Sequence, residues 1–181
     1  MGANMAANET TNLGVSDGEG KHICNPPTAC LACLARSGLS AELTDSEIDR
    51  LFAIANVRRL SKGEVVVSEG DDANCLYSIA RGEFDVTRGA SADREIQLIR
   101  LGPGTITGEL AFLDGLKRTA TVRAAADDSC VIALKRENLE SILEADPRLV
   151  YKIMRAILRS AHKTVGAMDR TYVDMMSYIQ G

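Results

Sequence analysis

Two side chains of opposite charge, Glu109 and Arg118, stand at the two ends of the segment Thr107-Gly108-Glu109-Leu110-Ala111-Phe112-Leu113-Asp114-Gly115-Leu116-Lys117-Arg118-Thr119-Ala120-Thr121-Val122. Gly108 carries no side chain, so backbone can approach a ligand closely there. The residues after it can form one helical turn, whose free N–H groups favour an anion. Arg118 can close a fork of charge-assisted hydrogen bonds on a phosphate. A phosphate touching Glu109 would be repelled, so that carboxylate fits better as acceptor from a sugar hydroxyl. The pair therefore suits a small ligand carrying both a phosphate and a hydroxyl. The plainer alternative for two such residues is an ordinary surface ion pair.

The spelling of this segment resembles the phosphate-binding cassette of cyclic-nucleotide-binding domains in the cyclic-AMP receptor protein superfamily. The likeness rests on the Gly-Glu-Leu-Ala opening, the spacing to the arginine and the Arg-Thr-Ala-Thr-Val close. It implies that Glu109 holds a ribose 2′-OH and Arg118 a cyclic phosphate, with Gly108, Leu110, Ala111, Thr119 and Ala120 completing the site. It also places Thr164, on a later helix, where bacterial cyclic-AMP receptors meet adenine with a threonine; a solvent-facing threonine is the competing reading. Thr119 resembles the hydroxyl after the arginine in cGMP-dependent kinases and cyclic-nucleotide-gated channels, but bacterial cAMP receptors have serine there. The expected ligand is cAMP in preference to cGMP. Phe84 and Val86, alternating on one strand, are candidates for the pocket wall.

Chemistry of another kind is suggested by the cysteines. Cys24, Cys30 and Cys33 form a compact run after His22, and Cys30-Leu31-Ala32-Cys33 has a spacing that lets two thiolates hold one metal. Oxygen-sensing iron–sulfur regulators of the same superfamily also carry an N-terminal cysteine cluster, and the resemblance would make Cys130 the fourth ligand. The spacing is reversed relative to those regulators, and they lack an intact cassette. The rival function is thus a redox or metal sensor, holding iron–sulfur or zinc, with a vestigial nucleotide site. In the preferred reading these thiols are unliganded, and Cys75 is a core side chain. No nucleophile–base pair is legible, so an enzyme is not expected.

The chain has 181 residues, 45% hydrophobic and 25% charged, with a net charge of −4. These values suit a globular domain with a real core and do not advertise general binding to a phosphate backbone. No apolar run approaches the ~18 residues of a membrane span, and residues 1–20 lack the apolar core of a secretion signal. Five cysteines, an odd number, argue against a secreted disulfide framework. A cytoplasmic setting is expected.

Four regions follow. Residues 1–21 read as a disordered tail, and 22–40 as a cysteine-containing arm. Residues 41–145 read as the binding domain. It opens with a capping box from Thr44 to Glu47 and a helix with Ile48, Leu51, Phe52 and Ile54-Ala55 on its apolar face. The period then changes near residue 57. Val65–Val67, Cys75–Ile79, Phe84–Val86, Ile96–Ile99, Ala120–Val122 and Cys130–Leu134 are short strand-like runs, punctuated by turn glycines. Such a pattern suggests a sandwich or jelly roll, and the resemblance implies a mainly β, eight-stranded β-roll interrupted by the cassette. A short helix is expected over Lys135–Leu143.

The fourth region, 146–181, reads as one long helix, with Asp146 as N-cap and Pro147 at the first helical position. At 1.5 Å per residue it could run for ~50 Å. Leu149, Ile153 and Ile157 form a stripe that would pack back on the domain. Met154, Leu158, Ala161, Val165, Met168, Tyr172, Met175 and Ile179 follow steps of four and three, a heptad seam. Such a helix outlasts the surface of one small domain, so a homodimer through it is expected. Related regulators carry a helix-turn-helix after this helix. The sequence reaches Gly181 without a recognition helix, so no DNA binding by this chain alone is expected.

Overall fold

A computed structural model describes residue 34 and residues 37–91 and 94–180. The readings placed on the tail, and on Cys24, Cys30 and Cys33, lie outside them.

Among the described residues, eight strands form two antiparallel sheets of four. Strands β1 (Ala55–Leu60), β8 (Ser129–Lys135), β3 (Cys75–Arg81) and β6 (Ile106–Thr107) make one sheet, in that order. Strands β2 (Val65–Val67), β7 (Thr121–Ala124), β4 (Phe84–Ser91) and β5 (Arg94–Leu101) make the other. Helix α1 (Asp45–Ile54) precedes the sheets. Helix α2 (Glu109–Asp114) interrupts them, and α3 (Arg136–Ser141) and α4 (Pro147–Gln180) follow. The mainly β roll with flanking helices and a long C-terminal helix is the expected architecture.

Period-2 alternation divides the core into two layers. On β8, Val131 and Ala133 face the space between the sheets, with Tyr77, Ile79, Phe84 and Val122. Cys130, Ile132 and Leu134, on the other face, meet the helices through Leu51, Leu149, Ile153 and Ile157. A strand covered on both sides reads as an unbroken apolar run, which is why Cys130–Leu134 shows no alternation of polarity.

Local chemistry sets the helix ends. The Thr44 N–H donates to Glu47 Oε2 at 2.8 Å within the expected Thr44–Glu47 capping box. Asp146 Oδ1 accepts from the Leu149 N–H at 3.2 Å, capping α4 ahead of Pro147. Helix α1 stops one residue short of the expected apolar face: Ala55 already opens β1, paired with Leu134. The short helix is trimmed to Arg136–Ser141, because Lys135 remains in register with Cys75 on β3.

Helix α4 is fixed to the rest of the domain along its first half. Leu149, Ile153 and Ile157 are fully buried, as the stripe requires. Lys152 Nζ donates to both Glu47 carboxylate oxygens, at 2.8 and 2.7 Å. Arg50 pairs with Asp146 at 2.5 Å, and Arg155 and Arg159 both reach Glu42. Among the seam residues whose side chains are described, one differs from expectation. Met154, Leu158, Val165 and Met175 are exposed, but Ala161 is buried against its own domain. At this point α4 passes β6 and α2, and the small side chain permits the close approach. Among the described residues, no helix is long and apolar enough to cross a membrane.

Candidate functional site

Helix α2 is bounded by two glycines in the left-handed region, Gly108 at φ +77° and Gly115 at φ +74°. Gly108 is required twice over. Its φ disfavours any side chain, and a Cβ there would collide with the Arg118 guanidinium, 3.1 Å from Cζ. The glycine lets the chain turn sharply out of β6 and brings Glu109 to the first position of the helix.

Arg118 lies behind that turn and is 5% exposed. Its Nη1 donates to the Gly108 carbonyl at 2.8 Å, and its Nη2 donates to the Cys75 carbonyl. The guanidinium sits 5.9 Å from the centroid of the Tyr77 ring. The main chain is clamped as well: the Arg118 N–H donates to the Asp71 carbonyl at 2.9 Å, and the Arg118 carbonyl accepts from the Gly70 N–H at 2.8 Å. Burial pulls the Arg118 pKa below the ordinary arginine value, countered by the nearby Tyr77, Cys75, Asp71 and Glu109. A guanidinium has five N–H donors, so two engaged carbonyls leave others for an anion.

Glu109 is 6% exposed. Burial raises its carboxyl pKa, opposed by its own backbone N–H, by Thr164 and by Arg118. The Thr164 hydroxyl, on α4, lies 3.4 Å from Glu109 Oε1 and 3.1 Å from the Ser160 carbonyl.

Gly108, Glu109, Leu110, Ala111, Arg118, Thr119, Ala120 and Thr164 all line one cavity of about 430 Å³. Its size is that of a small-molecule pocket. Val67, Val86, Leu98, Ile99 and Leu101 supply an apolar wall, and Ala167 closes it beside Thr164. One expected wall residue is elsewhere. Phe84 is fully buried between the sheets, two positions from Val86 on the same face of β4 but deeper in the roll. Leu98 and Ile99 are wall residues the sequence did not reveal as such, since neighbours on a strand ordinarily face opposite ways. Val86 pairs with Ile99 and Thr87 with Gln97, so Leu98 is an extra residue in a β-bulge. The bulge lets both side chains border the cavity.

Cys130 is buried in the helix-side core, and Cys75 is half-buried on β3. Desolvation pushes the Cys75 thiol pKa up. Among the described residues, no group of three or more histidine, cysteine, aspartate and glutamate side chains is placed to hold a metal.

A buried arginine and a buried glutamate, set around a left-handed glycine in one cavity, match a known arrangement at the level of sequence. Residues 57–146 match the cyclic nucleotide-binding domain family. A solved N-terminal domain of a transcriptional regulator from Streptomyces coelicolor is 31% identical. The match covers 73% of this chain and 94% of that one, with a TM-score of 0.62. The chain belongs to the cyclic nucleotide-binding domain family. The cyclic AMP receptor protein of Thermus thermophilus is 27% identical over 117 residues, 65% of this chain and 54% of that one. A cyclic nucleotide-binding domain from Methylobacillus flagellatus shares the fold with a TM-score of 0.69, covering 80% of this chain and 81% of that one at 22% identity. The chain spans 29% to 58% of the length of the first curated relatives it matches. It is a regulatory cyclic nucleotide-binding domain by family and fold.

Proposed function

We propose that the cavity takes cAMP in preference to cGMP and that the domain reports its occupancy through α4. Arg118 and the N–H groups at the start of α2 hold the cyclic phosphate, and Glu109 accepts from the ribose 2′-OH. Leu110, Ala111, Thr119 and Ala120 border the sugar and phosphate, the apolar wall encloses the purine side, and Thr164 stands at the edge of the cavity beside Glu109. The observation that carries this reading is the meeting of all eight residues, drawn from the cassette, β7's approach and α4, around one cavity. The wall favours adenine on physical grounds. Val67, Val86, Leu98, Ile99 and Leu101 offer no side-chain partner to the N1–H and 2-amino donors that guanine has beyond adenine. A polar group buried without a partner costs about 1–3 kcal/mol. The names of two relatives, the cyclic AMP receptor protein of Thermus thermophilus and a cAMP-activated regulator of Mycobacterium tuberculosis, point the same way.

Signalling belongs to the exposed second half of α4. Val165, Val173, Met175 and Tyr178 are exposed, more apolar surface than a lone helix ordinarily leaves in water. A second copy of the chain, paired along this face as a homodimer, would cover it. Isothermal titration with cAMP and with cGMP tests the ligand: tighter cAMP binding is expected, and absence of binding by either nucleotide would refute the reading.

A further inference from the structure

The hydroxyls of Ser160 and Thr164 stand one turn apart on the same side of α4 and both reach toward the cassette. Ser160 Oγ donates to the Ile106 carbonyl on β6 at 3.4 Å. Thr164 Oγ1 lies 3.4 Å from Glu109 Oε1 and 3.1 Å from the Ser160 carbonyl, so its one proton has two acceptors to choose between. These contacts fall where α4 changes character. Upstream, Leu149, Ile153, Ile157 and Ala161 are buried; downstream, Val165, Val173, Met175 and Tyr178 are exposed. Buried apolar packing thus anchors α4 up to Ala161, one turn before Thr164, and Val165, Val173, Met175 and Tyr178 beyond it are exposed.

Accepting the nucleotide reading above, we propose that Thr164 is a positioning residue for the Glu109 carboxylate and passes ribose recognition to the distal half of α4. A carboxylate has two oxygens with about four lone-pair sites. Oε1 faces Thr164, and the other oxygen remains for the 2′-OH. While the site lacks a hydroxyl donor, the Thr164 proton is shared between the helix's own Ser160 carbonyl and a long contact to Glu109. A 2′-OH bound to Glu109 fixes the carboxylate in one orientation. The Thr164 donor then settles on Oε1, and α4 is held to the cassette at residue 164. A ligand with the same phosphate and purine but no 2′-OH leaves the carboxylate unfixed and the distal helix as it was.

The test compares cAMP with 2′-deoxy-cAMP on the whole chain, as wild type, Thr164→Val and Thr164→Ser. Valine keeps the shape and removes the donor; serine keeps the donor. Titration calorimetry gives affinities, and amide hydrogen exchange gives the protection of residues 165–180. For the wild type, cAMP is expected to increase that protection and 2′-deoxy-cAMP to leave it unchanged. Thr164→Val should weaken cAMP about fivefold and 2′-deoxy-cAMP less than twofold, and should abolish the protection by cAMP. Thr164→Ser should restore both. Equal weakening of the two ligands by Thr164→Val would overturn the proposal and assign Thr164 to the purine. Protection of residues 165–180 by cAMP in Thr164→Val would overturn it too. In both cases cAMP still binds, so the nucleotide reading stands; a wild type that binds neither nucleotide would remove that reading and the proposal together.

Discussion

Replacing Arg118 separates what it does for the ligand from what it does for the fold. Its guanidinium is held by the carbonyls of Gly108 and Cys75 in a site that leaves the residue 5% exposed. Arg118→Ala therefore strands two acceptors besides removing a charge. An unsatisfied buried polar group costs about 1–3 kcal/mol, and water entering the space left by the side chain recovers part of that. A net loss of about 2–3 kcal/mol follows. For a chain of this size it lowers the melting temperature by roughly 4–12 °C, at about 2–4 °C per kcal/mol. The ligand loses its one assigned cationic side-chain partner, worth about 2–4 kcal/mol in a desolvated site, or roughly a 30- to 700-fold rise in Kd.

Arg118→Lys divides the two effects. Lysine keeps the charge but not the planar fork, so it can serve one carbonyl or the phosphate and not all three. Affinity should fall by roughly tenfold, with a melting temperature between those of wild type and alanine. The assay is titration calorimetry with cAMP beside thermal melts of the unliganded proteins. A folded Arg118→Ala variant that binds cAMP within threefold of wild type would refute the phosphate assignment. Unchanged melting would refute the structural half.

Gly108→Ala should be destabilising by about 1–2 kcal/mol from its left-handed φ alone, and should weaken cAMP as well, because the new methyl displaces Arg118; a variant with wild-type melting and affinity would show that the turn is not tight. Glutamate at both Val165 and Met168 sets like charges against each other across a two-fold axis, and sedimentation should then report monomer. Dimers that survive both changes would place the interface elsewhere. Glu47 has its carboxyl pKa pushed down from 4.5 to about 2, first by the Lys152 hydrogen bonds and then by the Thr44 N–H. A depressed folded pKa stabilises the fold above the unfolded value, and that contribution is lost as pH falls from 4.5 toward 2. Urea melts across this window should show stability falling less steeply in Glu47→Gln than in the wild type; parallel slopes would contradict the role of the Lys152 pair.

Features carried by a few neighbouring residues were legible in the sequence. The Thr44–Glu47 box, the Asp146-Pro147 start and the buried stripe of Leu149, Ile153 and Ile157 each follow from side chains within one or two turns of each other. The cassette was legible because Gly108, Glu109 and Arg118 lie in one short segment. What escaped depends on pairing across the chain. Strand β6 has two residues, Ile106–Thr107, too few to show a period, and exists through its bonds to Tyr77 and Ser78. The bulge at Leu98 follows from the offset between β4 and β5 and has no signature within β5 itself. Phe84 and Val86 share a face, and only the depth of the roll sends one to the core and the other to the cavity. Ala161 fits the seam by spacing, yet the path of α4 past the cassette buries it.

The two charged residues of the site meet at one turn and then diverge. Arg118 Nη1 donates to the Gly108 carbonyl beside Glu109; beyond that, Glu109 lies 3.4 Å from Thr164 on α4, while Arg118 donates to the Cys75 carbonyl on β3. On the proposed reading, a ligand contacting Arg118 alone, such as inorganic phosphate, would make no direct contact with the Glu109–Thr164 pair. A ligand shifts a helix only by as much as its affinity differs between the helix's positions, so such a ligand would shift α4 less than one that also engages Glu109. A cyclic nucleotide carries its phosphate and its 2′-OH on one rigid bicyclic frame, so it can hold Arg118 and Glu109 at a fixed separation. On the proposed reading its affinity would then depend on where α4 lies, and such a dependence is what coupling between ligand and helix requires. On the reading proposed above, the separation of Arg118 and Glu109 along the cassette would serve signalling as well as recognition, because one rigid ligand would engage both the phosphate side of the roll and the carboxylate beside Thr164.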